Sequence, residues 1–128
     1  MAYSIILADD SLFIRTIMRR SLEKHDFTIV SEASTGYEAV DEYIKHQPDL
    51  IILDISMPQK NGTEAAKDII AQFPEAVIIM CSALGQRDFI DECLEIGVTN
   101  FIVKPFYPER LPLMILRTME KVKLKNAE

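Results

Sequence analysis

Five polar positions carry most of the chemistry this sequence could do. Asp9 and Asp10 follow the apolar run Ser4–Ala8, and Asp54 closes the run Leu50–Leu53. Ser82 follows Ala76–Cys81, and Lys104 follows Asn100–Val103. Three carboxylates brought together repel one another and require a cation. Oxygen donors without His or Cys select a hard ion, Mg2+ before zinc. Such a site leaves coordination positions for water and a phosphate oxygen. Lys104 adds a point charge for an anion, and Ser82 adds a hydroxyl donor. Asp54 then stands as a nucleophile inside an oxyanion-binding arrangement. Each residue alone has an ordinary reading: Asp10 or Ser11 as a helix N-cap, Lys104 as a solvated loop residue, Ser82 as a turn residue. Their placement at successive strand ends is the more specific signal.

The elements that must position them are legible as periodicity. Ser4–Ala8, Leu50–Leu53 and Ala76–Cys81 are apolar runs without alternation, as expected of parallel strands covered on both faces. Phe27–Ala33 and Asn100–Val103 are weaker strands. Between them lie helical stripes: Ile14, Ile17, Met18 and Leu22; Val40, Tyr43 and Ile44; Ala66, Ile69, Ile70 and Phe73; Phe89, Ile90, Cys93 and Leu94. A fifth joins Leu111, Met114, Ile115, Met119 and Val122. Gly36 precedes the second helix, Pro48 and Pro74 follow the second and third, and Gly97 suits a helix C-terminus. Pro112 belongs in a first helical turn, so the last helix is expected to start near Leu111 after a turn around Pro108. Strand–helix alternation repeated five times predicts a doubly wound α/β fold with right-handed crossovers. Its functional crevice lies at the carboxyl ends of the strands.

Composition narrows the function. The 128 residues suit one domain, read here as spanning 1–128 with a core of about 3–123. A net charge of -6 disfavours direct nucleic-acid binding. No apolar stretch approaches the ~18–20 residues of a membrane span, and the N-terminus does not read as a signal peptide. Cys81 and Cys93 lack CxxC spacing and read as a reduced, cytoplasmic pair. His25 and His46 fall at expected helix ends, away from the carboxylates, and read as solvated or dipole-facing residues. The basic tail Lys121–Lys125 reads as a solvated helix end.

At this point the sequence closely resembles the receiver domains of two-component response regulators. The pieces are ILADDS (6–11), LDISMP (53–58) with Asn61 and Gly62, MCSALG (80–85) and NFIVKPF (100–106). Within that family it looks most like the stand-alone chemotaxis regulators of the CheY type, through SALGQ and FIVKPF. The resemblance implies a flavodoxin-like (βα)5 sheet of order 2-1-3-4-5. It implies Asp54 as phosphoacceptor, with Asp9, Asp10, Asp54 and the backbone carbonyl of Ser56 around Mg2+. Ser82 and Lys104 would contact the phosphoryl group, and the Lys104–Pro105 bond would be cis. Ser82 and Phe101 would form the switch. Phe101 stands where Tyr is frequent, and lacking a polar tip it is expected to favour an inward position. Ser82 stands where Thr is commoner.

The function this implies is a phosphorylation switch rather than an enzyme acting on a separate substrate. A histidine kinase donates the phosphoryl group. The surface of helix 4, strand 5 and helix 5 then changes its affinity for an output protein such as a flagellar motor switch component. A dedicated phosphatase is a further expected partner, and the protein is expected to be a cytoplasmic monomer. Alternatives are a receiver cut from a larger DNA-binding regulator, the chain ending just after helix 5, and a phosphorelay carrier. A phosphatase of the haloacid-dehalogenase type would need Asp-x-Asp, whereas the sequence is Asp54-Ile55-Ser56. A flavodoxin would need a Ser/Thr/Gly-rich loop where Asp9 and Asp10 stand.

Overall fold

The computed structural model describes residues 2–83 and 87–127. Leu84 and Gly85 of the MCSALG motif, with Gln86 of SALGQ, lie outside the described residues. Five strands alternate with five helices: β1 (Tyr3–Ala8), α1 (Leu12–Glu23), β2 (Phe27–Ala33), α2 (Gly36–His46) and β3 (Leu50–Asp54) come first. They are followed by α3 (Gly62–Gln72), β4 (Ile78–Ala83), α4 (Arg87–Ile96), β5 (Asn100–Lys104) and α5 (Leu111–Ala127). All strand pairs are parallel, in the order β2-β1-β3-β4-β5. The doubly wound α/β reading of the sequence is the observed fold.

The continuous apolar runs are explained by burial on both faces. Along β1, Ile5 and Leu7 enter one core while Ile6 and Ala8 enter the other, as successive residues of a strand must. The first core is closed by Met18 and Leu22 of α1 and by Leu111, Ile115 and Met119 of α5. The second is closed by Ala39 and Tyr43 of α2, Ala65, Ala66 and Ile69 of α3, and Cys93 of α4. Each fully buried Ile or Leu contributes roughly 1.5–3 kcal/mol relative to exposure. Both cysteines are free and buried. Ile44 and Leu94, assigned to stripes from sequence, are instead exposed. Each follows the buried residue of its stripe by one position, about 100° around the helix, and so turns away from the sheet.

Helix starts are capped by the residues before them. The Ser11 hydroxyl accepts from the Ile14 N–H, Thr35 does the same for Glu38, and Asn61 with Glu64 forms a capping box. This settles the choice between Asp10 and Ser11 in favour of Ser11 as cap. Gly97 follows α4 with φ of 110°, a conformation that glycine adopts without steric cost. A 3-10 turn at Pro108–Arg110 precedes α5, which begins at Leu111, as Pro112 required. Among the described residues no helix is long and apolar enough to cross a membrane.

Strand ends differ from the sequence reading in one consequential way. The run Ala76–Cys81 is displaced two residues, to Ile78–Ala83. Ser82 therefore lies within β4, paired with Val103, while Asp54 and Lys104 are the last residues of β3 and β5, paired with Cys81 and Ala83. Hydropathy stops at the first polar side chain, but the backbone ladder continues past it.

Candidate functional site

The parallel sheet gathers Asp9, Asp10 and Asp54 at its carboxyl edge, where one carboxylate oxygen from each lies within 4.8 Å of the others. Asp9 and Asp54 are buried, whereas Asp10 is exposed and opens the cluster to solvent. The Asp9 carboxylate accepts from the Ser11 N–H through Oδ1 at 2.9 Å and from Lys104 Nζ through Oδ2 at 2.9 Å. Lys104 Nζ also lies 3.4 Å from Asp54 Oδ2, so one ammonium stands between two buried carboxylates. Asp54 Oδ1 accepts from the Ser56 N–H at 3.3 Å. The Lys104–Pro105 peptide bond is cis.

Charge is only partly balanced here. Burial is the main cause, with Asp9 adding to it, that pushes the Asp54 carboxyl up to about 6, against the opposing pull of Lys104 and the Ser56 N–H. Burial works against the charged form of Lys104, but the Asp9 hydrogen bond and the two aspartate charges outweigh it and raise its pKa. The neighbouring Cys81 thiol is pushed up to about 12 by burial, which leaves it protonated and unreactive. One lysine among three carboxylates leaves a net negative site of hard oxygen donors, with one donor facing water. That set fits Mg2+.

Ser82 is buried, one residue beyond the level at which Asp54 pairs with Cys81. Ser56 is exposed, two residues past the end of β3. Phe101 pairs with Met80 and is half-buried rather than fully enclosed, resting against the core on the α2–α3–α4 side. It also borders an open groove of about 270 Å³ with Pro105, Phe106, Arg110 and Met114. His25 and His46 sit at helix ends, as read from the sequence.

Sequence reasoning missed the support behind these groups. Arg15 Nη1 donates to the Asp9 backbone carbonyl at 2.6 Å, and its Nε pairs with Glu32 Oε1 at 2.8 Å. The signal was Glu32, a carboxylate in the otherwise uncharged strand Phe27–Ala33. Gly62 supports the site from behind as well. Its N–H donates to the Ile55 carbonyl at 2.8 Å, and a Cβ there would collide with the Asp54 carbonyl. Any larger residue would push the β3 end out of place.

A family model described as the response regulator receiver domain matches residues 5–116. The chain is 40% identical over 117 residues to the chemotaxis protein CheY of Listeria monocytogenes, covering 91% of this chain and 95% of that protein. The response regulator domain of Thermotoga maritima CheB superposes with a TM-score of 0.84 at 30% identity, covering 96% of this chain and 98% of that one. A chain of the CheX–CheY–BeF3–Mg2+ complex from Borrelia burgdorferi is also similar, with a TM-score of 0.83 at 31% identity over 94% of this chain and 88% of that one.

Proposed function

This chain belongs to the response regulator receiver domain family, and from that premise we propose that it is a phosphorylation-controlled switch of the chemotaxis type. The observation that carries the reading is the convergence of Asp9, Asp10 and Asp54 with Lys104 bridging two of them. A histidine kinase presents phosphohistidine at the open, Asp10 side. An Asp54 carboxylate oxygen attacks phosphorus in line with the N–P bond. That bond breaks with its electron pair passing to the imidazole nitrogen, and an acyl phosphate forms.

Asp9, Asp10, Asp54 and the Ser56 carbonyl would hold Mg2+, which when bound supplies the charge that keeps Asp54 ionised and screens the incoming phosphoryl group. Lys104 already lies between Asp9 and Asp54, within reach of a group on either. Ser82, near the end of β4, offers its hydroxyl to a phosphoryl oxygen and moves towards it. Phe101, half-buried beforehand, completes its inward turn into the space vacated. The α4–β5–α5 surface then presents a different face to its output partner. This is a shift between two populations, driven only by contacts that differ between them.

The similarity to CheY supports an output protein of the flagellar motor switch and a dedicated phosphatase as partners, with the protein acting as a cytoplasmic monomer. It catalyses only its own phosphorylation and dephosphorylation. Transfer from a phosphorylated histidine kinase tests the reading. Wild type should accept label in Mg2+ and lose that capacity in chelator, and Asp54→Asn should accept none. Undiminished labelling of Asp54→Asn would refute the assignment.

A further inference from the structure

Every hydrogen-bonding atom of Asp9 is engaged. Its carboxylate oxygens accept from Ser11 and Lys104, and its N–H donates to the Ala33 carbonyl at 3.0 Å. Its own carbonyl accepts from Arg15 Nη1 at 2.6 Å. Arg15 in turn is anchored on Glu32, the residue before Ala33. Glu32 is itself held by Arg19, whose Nε and Nη2 reach Oε2 at 2.9 and 2.7 Å. Asp9 is thus clamped to β2 from both sides, directly through its N–H and indirectly through Arg15 and Glu32. The Arg15 side chain is only 15% exposed. A planar guanidinium can serve two acceptors at a fixed angle, which an ammonium on a flexible stem cannot do equally well.

We propose that Arg15, locked by Glu32, is a positioning residue for the acidic site: by holding the Asp9 carbonyl it sets the direction of the Asp9 carboxylate towards the cation. The proposal rests on the reading of Asp9, Asp10 and Asp54 as a Mg2+ site. Groups that orient metal ligands typically alter metal affinity 10–100-fold when removed. Charge alone predicts the opposite sign. Deleting a cation beside an acidic cluster should tighten Mg2+ binding, so a weakened site can only reflect lost positioning.

The experiment is a Mg2+ titration followed by thermal melting, which yields an apparent Mg2+ affinity separately from the Tm of the metal-free protein. Arg15→Met should bind Mg2+ about tenfold more weakly than wild type. Arg15→Lys, which keeps the charge but not the fork, should fall between the two. Arg19→Met removes the same charge from Glu32, but the ion pairs of Arg19 are with Glu23 and Glu32. It should lower the metal-free Tm and leave Mg2+ affinity unchanged or tighter. Arg15→Met binding as tightly as wild type, or Arg19→Met weakening as much as Arg15→Met, would overturn the proposal. If Arg15→Met does not fold, wild-type affinity in Arg15→Lys overturns it as well. A wild type insensitive to Mg2+ would remove the underlying site and this role together, whereas a responsive wild type with Arg15 variants of unchanged Mg2+ affinity removes only the role.

Discussion

The two halves of the sheet's carboxyl edge are built from different interactions. At β1 and β3 the side chains are charged and tied down: Asp9 by Ser11, Lys104 and the Arg15 clamp, and Asp54 by Lys104 and the Ser56 N–H. From β4 and β5, apart from Lys104, which reaches back to that first half, come Ser82, small and neutral, and Phe101, half-buried against the apolar core. Charged hydrogen bonds are directional and fix geometry. Apolar contact has no preferred direction, so a ring can exchange one apolar neighbour for another at little cost. The first half is suited to holding a reaction centre and the second to changing shape in response to it.

Removing Lys104 should disturb this division most. Lys104→Met leaves two buried carboxylates without their shared cation. Breaking a buried pair costs ~3–5 kcal/mol, and the partial exposure of this lysine brings the expectation to about 2–3 kcal/mol in metal-free buffer. Millimolar Mg2+ should restore much of that loss. Melts of the variant with and without Mg2+ decide the point, and a loss that is the same in both would mean that Lys104 does not share its role with a cation.

Asp54 gives a smaller effect of opposite sign. Its carboxyl is held at about 6 in the fold against about 3.8 unfolded, so folding favours the protonated form. With the metal absent, its contribution improves as pH falls through about 6 and is complete near 4; above 6 the buried charge destabilises. Asp54→Asn should therefore stabilise the metal-free protein at pH 7, on the order of 1–2 kcal/mol. Its advantage over wild type should vanish near pH 4. Glu32, held low by its arginines despite the opposing effect of burial, runs the other way in both proteins and cancels in the difference. Denaturant melts of the pair across pH 4–8 would show it, and a constant gap would contradict the raised value.

The apolar half should give the smallest signal. Measured on the stability gained with beryllium fluoride and Mg2+, Ser82→Ala and Phe101→Ala should be non-additive by about 0.5 kcal/mol. Additive variants would separate phosphoryl contact from the switch and leave Ser82 with the first role alone.

The same contrast explains what could be read in advance. Strands buried on both faces need unbroken apolar runs, so Ser4–Ala8, Leu50–Leu53 and Ala76–Cys81 identified the sheet and, through it, the edge where the aspartates meet. Extension of the ladder through Ser82 and Lys104 was hidden because backbone pairing is indifferent to side-chain polarity. The Arg15–Asp9 carbonyl bond was hidden for a related reason. A main-chain acceptor carries no mark in sequence, and an arginine in the first turns of a helix reads there like any solvated one. The partial burial of Phe101 depends on the helices around it rather than on its own hydropathy.

The central claim is that Asp54 carries the phosphoryl group, and reductive trapping tests it most directly. Borohydride reduces an acyl phosphate to the alcohol, converting a phosphorylated aspartate to homoserine, which peptide mass mapping locates. After treatment with a small acyl phosphate donor and Mg2+, homoserine should appear at position 54 and should be absent when Mg2+ is chelated. Homoserine at Asp9 or Asp10 instead, or equal conversion of Asp54 without Mg2+, would contradict the account.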